Sequence, residues 1–110
     1  MQELDHTLNA LQRLTAFLED ESQFVRKMPS FTPGSIFPFH GVRKPFVTKN
    51  GITMSIQQSD GHYVSNYNEV EMFYCPPHEI LSPYGGGDEP YGHVPLSVCA
   101  AYINALETNT

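Results

Sequence analysis

Apolar residues recur every three or four positions through the first 28 residues of the chain. Leu4, Leu11, Leu18 and Val25 repeat every seven residues, joined by Leu8, Leu14, Phe17, Phe24 and Met28. No Gly or Pro interrupts the run, and Pro29 follows Met28 where a helix should stop. The spacing predicts one helix over 2–28. Such a helix would be about 39 Å long. A compact domain of this size is only about 30–34 Å across. Part of the stripe therefore calls for a second copy, and the segment is assigned to homo-oligomerisation. A shorter helix lying across its own sheet would show the same leucine seam.

The next stretch, PSFTPGSIFPFHGVRKPF, holds four prolines, two glycines and four phenylalanines. Proline fixes φ and removes donors, which argues against helix and central strand. A solvated linker would not carry Ile36 and so many aromatics. Residues 29–49 therefore read as an ordered, aromatic and proline-rich loop. From residue 50 onward the period changes to two. Ile52, Met54 and Ile56 point one way, and Thr53, Ser55, Gln57 and Ser59 the other, before the Asp60-Gly61 turn signal. A second strand fits 70–75, where Val70, Met72 and Tyr74 oppose Glu71, Phe73 and Cys75, and Pro76-Pro77 ends it. A loop with the triplet Gly85–Gly87 follows, then a short strand over 91–95. A helix over 96–107 closes the chain, with Leu96, Cys99, Ala100, Ile103 and Leu106 as its buried stripe. The expected fold class is α+β: long N-terminal helix, small antiparallel sheet, short C-terminal helix. A single domain over 1–110 is expected, with 50–110 as its α+β part and the place to look for a ligand site.

Composition narrows the function. Six Lys+Arg against twelve Asp+Glu leave a net charge of −6. No region is basic enough to follow a phosphate backbone, so DNA is not an expected partner. No run is apolar and long enough for a membrane helix, and no basic-then-apolar leader is visible. Cys75 and Cys99 are then free thiols, and the expected location is the cytoplasm. His62, Cys75, His78, His93 and Cys99 are zinc-binding types without paired spacing, so no metal and no cofactor is expected. Glu69 and Glu71, two apart on a strand, read as a solvated face. Thirteen Phe and Tyr together with Thr53, Ser55, Gln57, Ser59, His62, Asn66 and Asn68 make up the inventory of a small-molecule or nucleobase pocket. They equally suit a small β protein with a polar outer face.

Three stretches in order, NGITMSIQQSDGHY at 50–63, VEM at 70–72 and YGHVPLSV at 91–98, carry a resemblance. Together they resemble small phage-encoded proteins akin to the first type of Thoeris anti-defence protein. These are sponges that sequester the cyclic ADP-ribose isomers made by bacterial TIR enzymes. The resemblance covers about half of the chain. It implies a non-enzymatic, homo-oligomeric protein acting in the host cytoplasm on a cyclic nucleotide-type signal. On this reading Thr53, Ser55, Gln57, His62 and Tyr63 form one wall, Arg43 and Lys44 meet phosphate, and Tyr91 and His93 close the site. The arginine that follows His-Tyr in the pattern is absent here, and no Lys or Arg occurs after Lys49. Two rival readings remain: an acidic, anti-CRISPR-like inhibitor that occupies a basic groove on a host defence complex, and a cysteine hydrolase using Cys75 or Cys99.

Overall fold

Asp20 ends the first helix. In the structure, a computed structural model that describes residues 2–108, helix α1 spans Gln2–Glu19. The Asp20 carboxylate then accepts hydrogen bonds from the Ser22 N–H at 2.9 Å and the Ser22 hydroxyl at 2.6 Å, capping a 3-10 turn at Glu21–Gln23. A short acidic side chain that bonds the backbone just ahead of it competes with helix continuation. The single helix expected over 2–28 is thereby corrected: Phe24–Pro29 is strand β1. At 18 residues α1 is about 27 Å long and fits on its own domain. Its stripe of Ala10, Leu14, Phe17 and Leu18 is buried by the chain itself, and Leu8 is left 52% exposed. The side chain of Leu4 lies outside the described residues, as do Asn109 and Thr110 of the tail.

The segment expected to be a loop over 29–49 contains two strands, β2 (Phe39–Arg43) and β3 (Phe46–Val47). Pro38 and Pro45 hid them from a composition reading. Each stands just before its strand, where a missing N–H interrupts no ladder. Strands β1 and β2 form an antiparallel two-stranded ribbon, with Lys27 opposite Gly41 and Met28 opposite His40. The main sheet is antiparallel throughout, in the order β3-β4-β5-β6, with β4 at Thr53–Gln57, β5 at Glu69–Phe73 and β6 at Tyr91–Pro95. Helix α2, Leu96–Thr108, follows β6 directly.

One face of the sheet is apolar. Met54, Ile56, Val70, Met72 and Val94 pack with the α1 stripe and with Cys99, Ala100, Tyr102 and Ile103 of α2. Arg13 spans the two helices with hydrogen bonds of 2.9 and 2.6 Å to the Glu107 carboxylate, which also accepts from the Lys49 N–H at 2.8 Å. Strand β5 stops at Phe73 rather than Cys75, because Tyr74 turns into the left-handed region at φ 54°. Strand β6 carries one extra residue between the pairs Val70–Val94 and Met72–Tyr91. Within that bulge His93 sits at φ 52°. The α+β class expected from the sequence is observed.

Self-packing of α1 has a measurable consequence. Leu14 is fully buried and Leu8 half exposed. In urea unfolding, Leu14→Ala lowers stability by about 2–5 kcal/mol. Leu8→Ala stays within about 0.5 kcal/mol of the parent.

Candidate functional site

The polar side of β4 divides into two parts. Thr53 is exposed and Ser55 half-buried, but Gln57, Gln58 and Ser59 are buried. The Gln57 amide accepts from the Arg43 N–H at 2.8 Å and donates to the Arg43 carbonyl at 3.2 Å. Two residues on, the Ser59 hydroxyl accepts from the Gly41 N–H at 3.1 Å and donates to the Gly41 carbonyl at 3.0 Å. Gln58 donates to the carbonyls of Tyr67 and Glu69 at 3.0 and 2.9 Å. These side chains fasten the β1–β2 ribbon and the 60–68 loop to the sheet. Ser59 also lines a cavity of about 350 Å³ with Ile36, Phe37 and His62.

Arg43 belongs to the same assembly. It is buried, and its guanidinium donates to the Gln58 carbonyl at 2.9 Å and the Leu18 carbonyl at 3.1 Å, with the Phe24 ring 4.4 Å from its carbon. Its Nε is buried without a hydrogen-bond partner. Burial lowers its pKa to about 10, so it remains a cation at neutral pH. The expectation that Arg43 meets a phosphate is corrected on this geometry, since the group is turned into the fold. Lys44 beside it is exposed, and its N–H donates to the Gln23 carbonyl at 2.8 Å.

The two carboxylates of β5 are partly buried and each faces a histidine. His62 Nδ1 lies 3.1 Å from Glu71 Oε1, and its Nε2 lies 3.1 Å from the Gly41 carbonyl. Both neighbours are acceptors, so only the doubly protonated ring satisfies both. The Glu71 hydrogen bond accordingly raises the His62 pKa above its ordinary value, against burial. Burial pushes Glu71 upward, but the bonds from His62 and from the Tyr63 N–H hold it below the usual carboxylate range. His93 Nδ1 lies 3.0 Å from Glu69 Oε1 and 3.2 Å from the Ser65 hydroxyl. The His93 N–H donates to the Tyr63 carbonyl at 2.7 Å, and a Cβ on Gly92 would stand 2.8 Å from Tyr63 Cβ. Tyr63 itself is 60% exposed. His62, Tyr63 and His93 therefore form one cluster that anchors the 60–68 loop against β5 and the bulge of β6.

Another cavity lies at the other end of the strands, where β4 begins, β5 ends and β6 begins. It is an open groove of about 720 Å³ lined by Ile52 and Thr53, by Phe73 through Pro77, by Tyr91, and by Gly87 and Glu89 of the glycine loop. Phe73 and Tyr74 stack with centroids 4.3 Å apart and planes inclined by 35°, and Tyr74 is 79% exposed. The glycine loop is drawn into a tight turn by a Gly86–Glu89 bridge, with all three glycines at positive φ. The Cys75 thiol in the groove is pushed up by burial, and buried Cys99 is pushed up further by the same cause. Among the described residues no group of His, Cys, Asp and Glu is arranged to hold a metal ion, and no helix is long and apolar enough to cross a membrane.

Of the nine residues expected to bind ligand, the groove takes Thr53 and Tyr91, while Ser55 accepts from the Gln57 amide at 3.1 Å. The sequence reading missed Phe73, Tyr74 and Glu89. The run Phe-Tyr-Cys-Pro-Pro carried a signal, since paired aromatics before two prolines mark a strand end whose rings lack a sheet to cover them. Comparison with family models, with curated proteins and with solved structures finds no match to this chain.

Two outcomes test the anchoring roles. Gln57→Ala leaves the buried Arg43 N–H and carbonyl unpaired and costs about 1–3 kcal/mol in urea unfolding. For the histidine, a folded pKa raised above the unfolded value contributes stability below about pH 6.5, lost as pH rises through the folded value. Glu71, held low, loses its own contribution only in acid. The stability difference between parent and His62→Ala is therefore larger at about pH 6 than at about pH 9. In a Glu71→Gln background that dependence on pH flattens.

Proposed function

We propose that the chain is a non-catalytic binding protein that captures a nucleobase-bearing small molecule of the cyclic-nucleotide kind and holds it unchanged. The observation that carries this reading is the open aromatic groove of about 720 Å³ at the end of the sheet. The Phe73–Tyr74 stack and the Tyr91 ring offer flat π faces, on which any base can stack. The Thr53 hydroxyl and the Glu89 carboxylate add a donor and acceptors for exocyclic and ribose groups. Tyr74 is held in a backbone region that L-residues avoid, and such strain concentrates at functional positions. No Lys or Arg lines the groove, so the base and ribose enter it and the phosphates project outward. A Cys75 thiol raised in pKa fits a site that binds without attacking its ligand.

The resemblance to the Thoeris anti-defence sponges points the same way. Its three stretches, at 50–63, 70–72 and 91–98, contribute the neighbouring strands β4, β5 and β6. On this reading the protein acts for a phage in the host cytoplasm by withdrawing an immune signal. Assembly into a homo-oligomer belongs to the same reading and rests on the resemblance, because the α1 stripe is covered by its own chain.

Calorimetric titration with a panel of cyclic nucleotides, cyclic ADP-ribose isomers included, gives saturable heat for at least one of them. The ligand is then recovered intact after the complex is denatured. Tyr74→Gly relieves the backbone while removing the stacking face. It leaves the unfolding midpoint unchanged or higher and weakens binding by about tenfold or more. Absence of heat for every member of the panel overturns the proposal.

A further inference from the structure

The β1–β2 ribbon differs in charge and exposure from the rest of the molecule. Four of the six basic residues, Arg26, Lys27, Arg43 and Lys44, lie between Phe24 and Lys44, and none of the twelve acidic residues does. Apart from Phe24, β1 is exposed along its length, with Val25 at 69% and Met28 at 54%, and Phe31 just beyond it stands at 88%. Lys27 is paired with Glu21 at 2.7 Å, whereas Arg26 makes no ion pair among the described residues. A groove of about 470 Å³, lined by Met28, Pro29, Phe31, Thr32 and His40, opens beside the strand.

The backbone of β1 is open on one side. The N–H and carbonyl groups of Gly41 and Arg43 point away from β1, toward Ser59 and Gln57, and the Phe39 carbonyl accepts from the Asp60 N–H. In an antiparallel ladder, residues opposite such positions turn their own backbone groups outward as well. Lys27 stands opposite Gly41 and Pro29 opposite Phe39. The free edge thus presents the Lys27 N–H and carbonyl and the Pro29 carbonyl at strand spacing, with no partner strand among the described residues.

We infer that this edge is a docking site for an extended acidic segment of a partner protein, which adds to the ribbon as a third strand. Backbone groups at strand spacing match a peptide rather than a phosphate chain. The partner's carboxylates meet Arg26, and one of its apolar side chains enters the groove between Met28 and Phe31. A second copy is disfavoured as the occupant. An antiparallel pairing of β1 on itself centred on Arg26–Lys27 brings that pair against its own image, and like charges placed opposite each other destabilise a ladder. Nucleic acid is disfavoured because Arg43 is buried and Lys27 is committed to Glu21, which leaves few cations to follow phosphates. This surface shares no lining residue with the aromatic groove, and the inference stands apart from the small-molecule reading.

The test uses a short fluorescein-labelled peptide of alternating glutamate and valine carrying one phenylalanine. Its lysine counterpart and an oligothymidylate serve as competing probes. Anisotropy on the full chain shows saturable binding of the acidic peptide that weakens as salt rises. Arg26→Glu weakens it by about tenfold or more. Phe31→Ser weakens it with little dependence on salt. Both side chains are exposed, so the variants keep the parent's circular dichroism and unfolding midpoint. Hydrogen exchange at the Lys27 amide slows on binding, a change that a purely electrostatic contact would not produce. Each of four results overturns the inference: no saturable binding of the acidic peptide, tighter binding of the oligothymidylate, an unchanged Lys27 amide, or self-association abolished by Phe31→Ser.

Discussion

Side chains that stand in for a missing strand hold this molecule together. Gly41 and Arg43 are two apart on β2, and Ser59 and Gln57 are two apart on the continuation of β4, so both pairs share the period of extended chain. An amide and a hydroxyl can each donate and accept, and together they satisfy four backbone groups that would otherwise be left open on the inner edge of the ribbon. Glycine at 41 lets the Phe24 ring lie against the backbone, since a Cβ there would fall 2.4 Å from the ring and displace it. Arg43 then reaches from the ribbon to the Leu18 carbonyl near the end of α1 and to the Gln58 carbonyl beyond β4. One buried cation thereby fixes three elements whose apolar contacts alone would allow them to slide.

The same economy governs the outer face of β5. An acidic chain with no Lys or Arg after Lys49 has histidines as the remaining counterions for Glu69 and Glu71. At the His62–Glu71 pair the carboxylate favours the charged imidazole, and the imidazole the charged carboxylate. The two pairs bring the 60–68 loop down onto the sheet, where Tyr63 rests on Gly92 and the β6 bulge. The strain of His93 at positive φ is balanced here by the hydrogen bonds that its ring and its N–H make to the loop.

Elements whose period is sustained and local were readable in the sequence. The alternation at 52–57, the Asp60-Gly61 turn and the final helix all appear where the pattern put them. The long helix failed at Asp20, where one capping side chain outweighs a heptad that runs on to Val25. The apolar spacing of Phe24, Val25 and Met28 suits helix and strand alike, and the partner that decides between them, β2, is remote in sequence and masked by flanking prolines. Residue types were also misleading at the site. Gln57 and His62 are the kinds of side chain a ligand pocket uses, yet here they satisfy backbone carbonyls and a carboxylate of the fold. Thr53 and Tyr91 reach the groove because they sit where strands begin, a placement that only the sheet register reveals.

Charge is distributed along the same division. Outside residues 24–44 the chain carries twelve acidic residues and two basic ones, and the aromatic groove lies within that acidic part. A groove without cations in an acidic setting repels free phosphate, and for the proposed ligand stacking of its base is the attraction left. The ribbon has the opposite character: basic, apolar on its exposed strand, and open at its backbone edge. A rigid clamp of Gln57, Ser59 and Arg43 separates the two. Occupancy of one surface therefore reaches the other only if it moves that clamp, and a clamp with four backbone bonds and a buried guanidinium favours independence over coupling.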